Sequence, residues 1–136
     1  MSITVTQTGR VRKHFLPLES NPEVFNELLQ LLGVTSDIGF EDVFTLDEPQ
    51  FLPRPALAVV LVFPTTDRYE TKKAALESSR PEYTGSGNGE PVVWFKQTIN
   101  NACGLYAILH ALSNGKARQF ISKPSIIRYF FDGKTS

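Results

Sequence analysis

Apolar side chains recur along this chain with two different patterns, and the first pattern predicts helices. Within residues 22–33 they lie three and four positions apart, at Val24, Phe25, Leu28, Leu29 and Leu32. This spacing is typical of a helix with one buried face. Ser20 and Glu23 have the spacing of a capping box that begins such a helix. Pro22 suits its first turn, and Gly33 is placed to end it.

A second stretch with helical spacing is more apolar. Its large side chains recur at Leu105, Ile108, Leu109 and Leu112, with alanines between them. Asn100 or Asn101 can cap the start of this helix, and Gly115 can end it in a left-handed conformation. A helix that is apolar on every side belongs inside a protein. We therefore expect this helix in the core.

The second pattern, a continuous apolar run, predicts strands. Residues 56–63 lie between two prolines and predict a central strand that is covered on both faces. Residues 40–46 and 92–96 predict two shorter strands, a weak helix is expected near 68–79, and 85–89 reads as a glycine-rich loop. Together these elements predict an α/β fold with helices around a small central sheet.

Composition narrows the class of protein. The chain has 136 residues, 41% of them hydrophobic and 21% charged, with a net charge of zero. One globular domain fits this length, and the charge balance gives no indication of nucleic acid or an anionic membrane as a partner. The longest apolar run is too short to span a bilayer. We expect a monomer in the cytoplasm, with the nucleus as a further compartment.

The single cysteine is the strongest candidate for chemistry. The predicted helix places Cys103 in its first turn, where partial positive charge and unpaired N–H groups favour a thiolate. Gln97 lies six positions upstream, and a side-chain amide there can donate to an oxyanion. These residues read as half of a cysteine-hydrolase active site. The alternative is that Cys103 is a small buried hydrophobe on a core helix.

Three blocks of sequence resemble the N-terminal part of the ubiquitin C-terminal hydrolases, papain-like thiol peptidases that cut small adducts from the end of ubiquitin. They are FLPLESNPEV at 15–24, FLPRP at 51–55 with AVVLVFP at 58–64, and WFKQTINNACG at 94–104. The resemblance covers residues 15–121. It implies that Cys103 is the nucleophile and that Gln97 is the side chain of the oxyanion hole.

The resemblance has further implications for fold and partners. It implies an α+β papain-like fold that is incomplete relative to the full domain of the family, ubiquitin as the partner, and no cofactor. It also implies that Pro17 and Leu18 lie near ubiquitin. For those two residues, an extended strand that packs on the core is an equally good interpretation.

A thiol peptidase also needs a base and a group that orients the base. The resemblance implies a downstream histidine and then an aspartate before a glycine, and the sequence reaches Ser136 without a match to this pair. We expect the catalytic group to be incomplete here. We also expect residues 1–14 to be a flexible extension and 122–136 a divergent tail. Asp132-Gly133 is interpreted as a coincidental match, because no histidine-bearing strand precedes it.

Neither of the two histidines fits the role of the base. His110 lies seven positions after Cys103 on the same predicted helix, about 10.5 Å away along the axis. We expect it to pack or to be solvated, and His14 to lie on the surface. With one cysteine and two distant histidines, the chain has neither an internal disulfide nor a credible zinc site.

Two functions stay open at this stage. The chain is a thiol-dependent hydrolase that releases adducts from the C-terminal glycine of ubiquitin through a thioester, or it is an inert form that at most binds ubiquitin. In either case we expect the chain by itself to expose sheet edges and apolar faces, and therefore to aggregate.

Overall fold

The computed structural model describes residues 2–5, 11–87 and 89–132. Within them, β1 and β2 form an antiparallel pair, with Ser2 opposite His14 and Val5 opposite Val11. The strands are β1 (Ser2–Val5) and β2 (Val11–His14), and the helices are α1 (Pro22–Leu31), α2 (Asp67–Ser78), α3 (Cys103–Ser113) and α4 (Ile126–Asp132). Two 3₁₀ helices span Pro49–Phe51 and Gly115–Phe120. In this part of the chain, no helix has the length and apolarity needed to cross a membrane.

The start of α1 differs by one residue from the prediction. Asn21, and not Ser20, is the N-cap, and its side-chain oxygen accepts the N–H of Glu23 at 2.8 Å. Asn21 has an extended backbone, which lets its short carboxamide reach the first turn. Pro22 is the first helical residue, as predicted.

The core lies between α1, α3 and the segment that leads into α4. Its buried members are Phe25, Leu29, Val34, Ile108, Leu112, Ile121 and Ile127. Ile108 is fully buried, which confirms the prediction that α3 is a core helix. The later turns of α3 are therefore packed in the core and hold in place the end of the helix that begins at Cys103.

A tight turn after α1 closes this core. Gly33 has φ of 82°, and its carbonyl accepts the N–H of Ser122 at 2.8 Å. Val34 and Ile121 form an isolated antiparallel bridge beside it. A Cβ on Gly33 would lie 2.5 Å from the Cβ of Ser125. Both the left-handed backbone and the close approach therefore require glycine here.

The structure does not confirm the predicted central sheet. Residues 40–46, 56–63 and 92–96 have no regular secondary structure. In the run 56–63, Val59 is 84% exposed and Leu61 is 79% exposed. A strand forms only when a neighbouring backbone takes its N–H and C=O groups. Among the described residues, no strand pairs with 56–63.

Other predictions have mixed outcomes. α2 confirms the helix expected near 68–79, and the Thr66 side chain caps it by accepting the N–H of Tyr69 at 3.2 Å. The helix α4 is an element that the sequence patterns did not predict. β1 and β2 lie within residues 1–14, and the flexibility expected of that extension stays a prediction. The loop 85–89 is irregular, with residue 88 outside the described part.

Candidate active site

The thiol lies at the end of α3 that points away from its packed turns. Cys103 is the first residue of α3, and it is exposed. An exposed thiol does not fit the alternative of a small buried hydrophobe. The first turn of a helix has backbone N–H groups without partners inside the helix, and these favour negative charge. Cys103 therefore has the location that a nucleophilic thiolate requires, while that role itself stays a prediction.

The turn before Cys103 is built differently from the prediction, in which Asn100 or Asn101 capped α3. Ala102 is the N-cap and makes no side-chain cap hydrogen bond; its carbonyl accepts the N–H of Tyr106 at 3.0 Å. Asn101 has φ of 61°, a left-handed conformation that Asn tolerates better than most residues. Asn101 thus turns the backbone into α3 and leaves the first-turn N–H groups without a side-chain cap.

Gln97 lies on the loop that leads into this first turn. Its side chain is exposed, and Nε2 donates to the carbonyl of Ile99 at 3.0 Å. The backbone nitrogen of the next residue, Thr98, lies 3.4 Å from the hydroxyl oxygen of Tyr106. Tyr106 lies one helical turn after Cys103. An amide nitrogen has two N–H groups. One N–H of Gln97 fixes the side chain to its own loop, and the amide retains the other for a further acceptor.

Sequence reasoning missed the polar stripe of α3. The Asn114 side chain accepts the N–H of Val93 at 2.8 Å and donates to its carbonyl at 3.0 Å. His110 Nε2 accepts the N–H of Phe95 at 2.8 Å, and its ring stacks on Trp94 with centroids 4.5 Å apart. The available signal was a row of polar residues four positions apart on an otherwise apolar helix.

Residues 15–18 run past the start of α3. The N–H of Phe15 donates to the carbonyl of Asn100 at 3.1 Å. A Cβ on Gly104 would lie 3.1 Å from the Cβ of Leu18, so glycine after the thiol lets the two segments pack closely. Leu18 also lines an apolar cleft of about 180 Å³ between this segment, α1 and the start of α3. Pro17 is exposed, and ubiquitin contact by either residue stays a prediction.

Comparison with known proteins identifies the family. The profile of "Ubiquitin carboxyl-terminal hydrolase, family 1" matches residues 15–136. The chain belongs to this family. It is 45% identical over 105 residues to "Ubiquitin carboxyl-terminal hydrolase YUH1" of Saccharomyces cerevisiae, covering 75% of this chain and 41% of that protein. It is 35% identical over 117 residues to "Ubiquitin carboxyl-terminal hydrolase isozyme L1" of Homo sapiens, covering 84% and 51%.

A third relative shows a similar coverage. The chain is 36% identical over 127 residues to "Probable ubiquitin carboxyl-terminal hydrolase" of Dictyostelium discoideum, covering 92% of this chain and 49% of that protein. The chain thus spans about half the length of these ubiquitin C-terminal hydrolases, from 41% to 51%.

An exposed ion pair involves the residue next to Gln97 in the sequence. Lys96, next to Gln97, donates to the carboxylate of Glu82. This hydrogen bond, and then the positive charge, lower the pKa of Glu82. The hydrogen bond between Tyr83 and Glu90 raises the pKa of the Tyr83 phenol. Within the described residues, no cluster of histidine, cysteine and carboxylate side chains has the geometry to hold a metal ion.

Proposed function

We propose that this chain carries the nucleophile half of a thiol-dependent ubiquitin C-terminal hydrolase. The observation that carries the proposal is an exposed Cys103 at the first position of α3, in a chain that belongs to this family. The relatives bear names that state hydrolysis at the carboxyl terminus of ubiquitin. The proposed substrate is therefore ubiquitin with an adduct on its C-terminal glycine.

The proposed reaction is acyl transfer through a thioester. The thiolate of Cys103 attacks the carbonyl carbon of the terminal glycine, so that a C–S bond forms and the carbonyl oxygen becomes an oxyanion. The side-chain N–H of Gln97 and the backbone N–H of Cys103 donate to that oxyanion. One such donor lowers the activation free energy by roughly 2.7–4 kcal/mol. The oxyanion then collapses, the bond to the adduct breaks, and the amine or thiol takes a proton from water. A second water molecule attacks the thioester, which releases the ubiquitin carboxylate and the Cys103 thiol.

Efficient turnover needs a base within hydrogen-bond reach of the sulfur. His110 is not that base, because its Nε2 accepts the N–H of Phe95 and it lies two turns along α3 from Cys103. We propose that Cys103 captures an activated ubiquitin terminus in a single acyl transfer, and that His110 takes no part in this step.

The first test uses ubiquitin with a vinyl sulfone at its C-terminus. Cys103 is the only cysteine, so a mass increase of the chain by one ubiquitin reports on this thiol alone. The comparison reagent is the same vinyl sulfone on acetylglycine, which reports intrinsic thiol reactivity. We expect labelling by the ubiquitin reagent to be more than about tenfold faster, since recognition raises the effective concentration at the thiol, and no adduct with Cys103→Ser.

The outcomes separate the two candidate functions. Equal rates for the two reagents would contradict the hydrolase proposal. Ubiquitin binding in a titration, without preferential labelling, would favour the inert form that only binds ubiquitin.

The second test addresses Gln97. A ubiquitin C-terminal thioester transfers its acyl group to Cys103 in a single turnover, and this step develops an oxyanion. We expect Gln97→Ala to slow the transfer by about 10²–10³. Gln119→Ala is the matched control, because Gln119 is exposed on the 3₁₀ helix Gly115–Phe120. An unchanged rate for Gln97→Ala would refute the proposed role of this amide.

A further inference from the structure

Three polar side chains, two on α3 and one on the residue that directly follows it, lie on the same side as the thiol. Tyr106, His110 and Asn114 follow one another at four-residue intervals, and Cys103 lies three residues before the first of them. At 100° per residue, these four positions fall within an arc of about 80° around the helix axis. Much of the rest of α3 is apolar, and Ile108 and Leu112 on it are buried in the core.

Each of the three side chains contacts the backbone of residues 93–98. Asn114 binds both the N–H and the carbonyl of Val93, at 2.8 and 3.0 Å. His110 accepts the N–H of Phe95 at 2.8 Å, and the Tyr106 hydroxyl lies 3.4 Å from the N–H of Thr98. We call these three side chains the α3 ladder.

The dimensions of a helix and of an extended chain explain why such a ladder fits. Four helical residues rise about 6.0 Å, and two residues of an extended chain span about 6.6 Å. Asn114 and His110 therefore meet alternate residues, Val93 and Phe95, and the alternate N–H groups of an extended chain point to the same side. Tyr106 meets Thr98, three residues after Phe95, where the two-residue step ends. Asn114 and His110 thus take the place of a partner strand at Val93 and Phe95.

The order of the contacts sets the direction of the segment. Val93 lies at the end of α3 that is distant from the thiol, and Thr98 lies beside Tyr106, one turn from Cys103. A shift of the segment by two residues would move every contact by one helical turn and would carry Gln97 about 6 Å along the axis. The register of the ladder therefore decides whether the Gln97 amide lies at the thiol end of α3.

We propose that Tyr106, His110 and Asn114 are positioning residues that hold residues 93–98 in one register along α3 and thereby place Gln97 beside Cys103. This inference rests on the proposed function for its catalytic consequence, because Gln97 is there the donor to the oxyanion. The ladder residues do not touch the reacting atoms. Their effect on the reaction passes through the position of Gln97.

The structural arm of the test measures amide hydrogen exchange by NMR in the full chain. In His110→Leu, which removes the acceptor of Phe95, we expect exchange at Phe95 to become about tenfold faster. Asn114→Leu should do the same at Val93. The contact between the Tyr106 ring and the Thr98 amide, observed as a nuclear Overhauser effect, should weaken in both variants. Unchanged exchange of Leu29 in α1 checks that the core is intact.

Two further variants separate positioning from general stability. His110→Gln keeps a side-chain acceptor at about the position of Nε2, so it should restore slow exchange at Phe95. Ser113→Ala is the matched control on the same turn as Asn114, because the Ser113 hydroxyl donates to the Leu109 carbonyl of its own helix. Ser113→Ala should leave exchange at Val93 and Phe95 unchanged.

The functional arm measures acyl transfer from the ubiquitin thioester and alkylation of Cys103 by iodoacetamide. We expect His110→Leu and Asn114→Leu to slow acyl transfer at least tenfold with unchanged alkylation, and His110→Gln to recover most of the rate. In a Gln97→Ala background, the ladder variants should have no further effect. A full additional effect there, or unchanged exchange in the leucine variants, would overturn the proposal. Absence of acyl transfer in the wild-type chain would instead contradict the proposed function. In that case, amide hydrogen exchange and the contact between Tyr106 and Thr98 still test whether the ladder fixes the register of residues 93–98.

Discussion

The helical core and residues 41–96 have similar apolar runs, but much of the second region is exposed, apart from residues such as Val93 and Phe95 that pack against the core. In the core, Leu112 is 2% exposed and Ile108 is completely buried. In the second region, Leu61 is 79% exposed and Phe44 is 92% exposed. Hydrophobic content by itself therefore does not determine burial; the availability of a complementary surface does.

The reason lies in where each element finds its hydrogen bonds. α1 and α3 satisfy their backbones internally, so the apolar stripes of the two helices only need to meet. The run 56–63 needs a second backbone before its side chains can pack. Exposed apolar runs of this kind favour association, and the aggregation that we expect from the sequence stays a prediction.

The sharpest test of this difference is the same truncation in the two regions. Leu112→Ala should reduce the free energy of unfolding by about 2–5 kcal/mol, because it leaves a cavity in the core. Leu61→Ala should change it by less than about 0.5 kcal/mol. Urea denaturation followed by circular dichroism measures both. A large loss for Leu61→Ala would mean that residues 56–63 are packed, contrary to the structure.

A second test compares two glycines with positive φ. Gly33→Ala should cost about 2–4 kcal/mol, since it combines a left-handed alanine with a contact of 2.5 Å to the half-buried Ser125. Gly87 has φ of 98° and open space around the position of its Cβ, so Gly87→Ala should cost about 1–2 kcal/mol at most. Equal losses of unfolding free energy would show that the contact with Ser125 contributes nothing.

The boundary between the regions gives an intermediate effect. Asn26 on α1 accepts the N–H of Phe40 at 2.6 Å and donates to its carbonyl at 3.2 Å. Asn26→Ala should cost about 1–2 kcal/mol, because it removes both bonds from a half-buried backbone. Asn26→Asp keeps the acceptor for the N–H and should cost less. If the two variants are equally stable in urea denaturation, the hydrogen bond to the N–H contributes nothing.

The smallest effect belongs to the exposed ion pair of the second region. Lys96→Gln should raise the pKa of Glu82 toward its ordinary value, because the hydrogen bond and the charge that lower it are lost. A lowered carboxyl pKa stabilises the fold above the unfolded-state value, about 4.3, and this contribution disappears as the pH falls through the folded-state value. NMR titration of the Glu82 carboxyl measures the shift. An unchanged pKa in the variant would contradict the assigned cause, whereas the effect on stability should be small because both groups are solvated.

The family and the location of Cys103 at the start of α3 could be predicted from sequence because they depend on local signals. Helical spacing around Leu105 and Ile108, together with the block that contains Gln97 and Cys103, placed the thiol at the start of a core helix. The capping residues were harder to predict. Asn21 instead of Ser20, and Asn101 as a turn instead of a cap, depend on backbone angles that neighbouring residues also allow.

The sequence by itself determined α1, α2 and α3, since helical hydrogen bonds close within four residues and the apolar stripes of α1 and α3 are visible as spacing. Only the tertiary structure decided whether the apolar runs form strands, because a strand needs a partner strand and the local sequence pattern does not reveal one. It also decided the use of His110 and Asn114. Their side chains hydrogen-bond to backbone 15 and 21 positions away in the sequence, and no periodicity within one segment encodes such a contact.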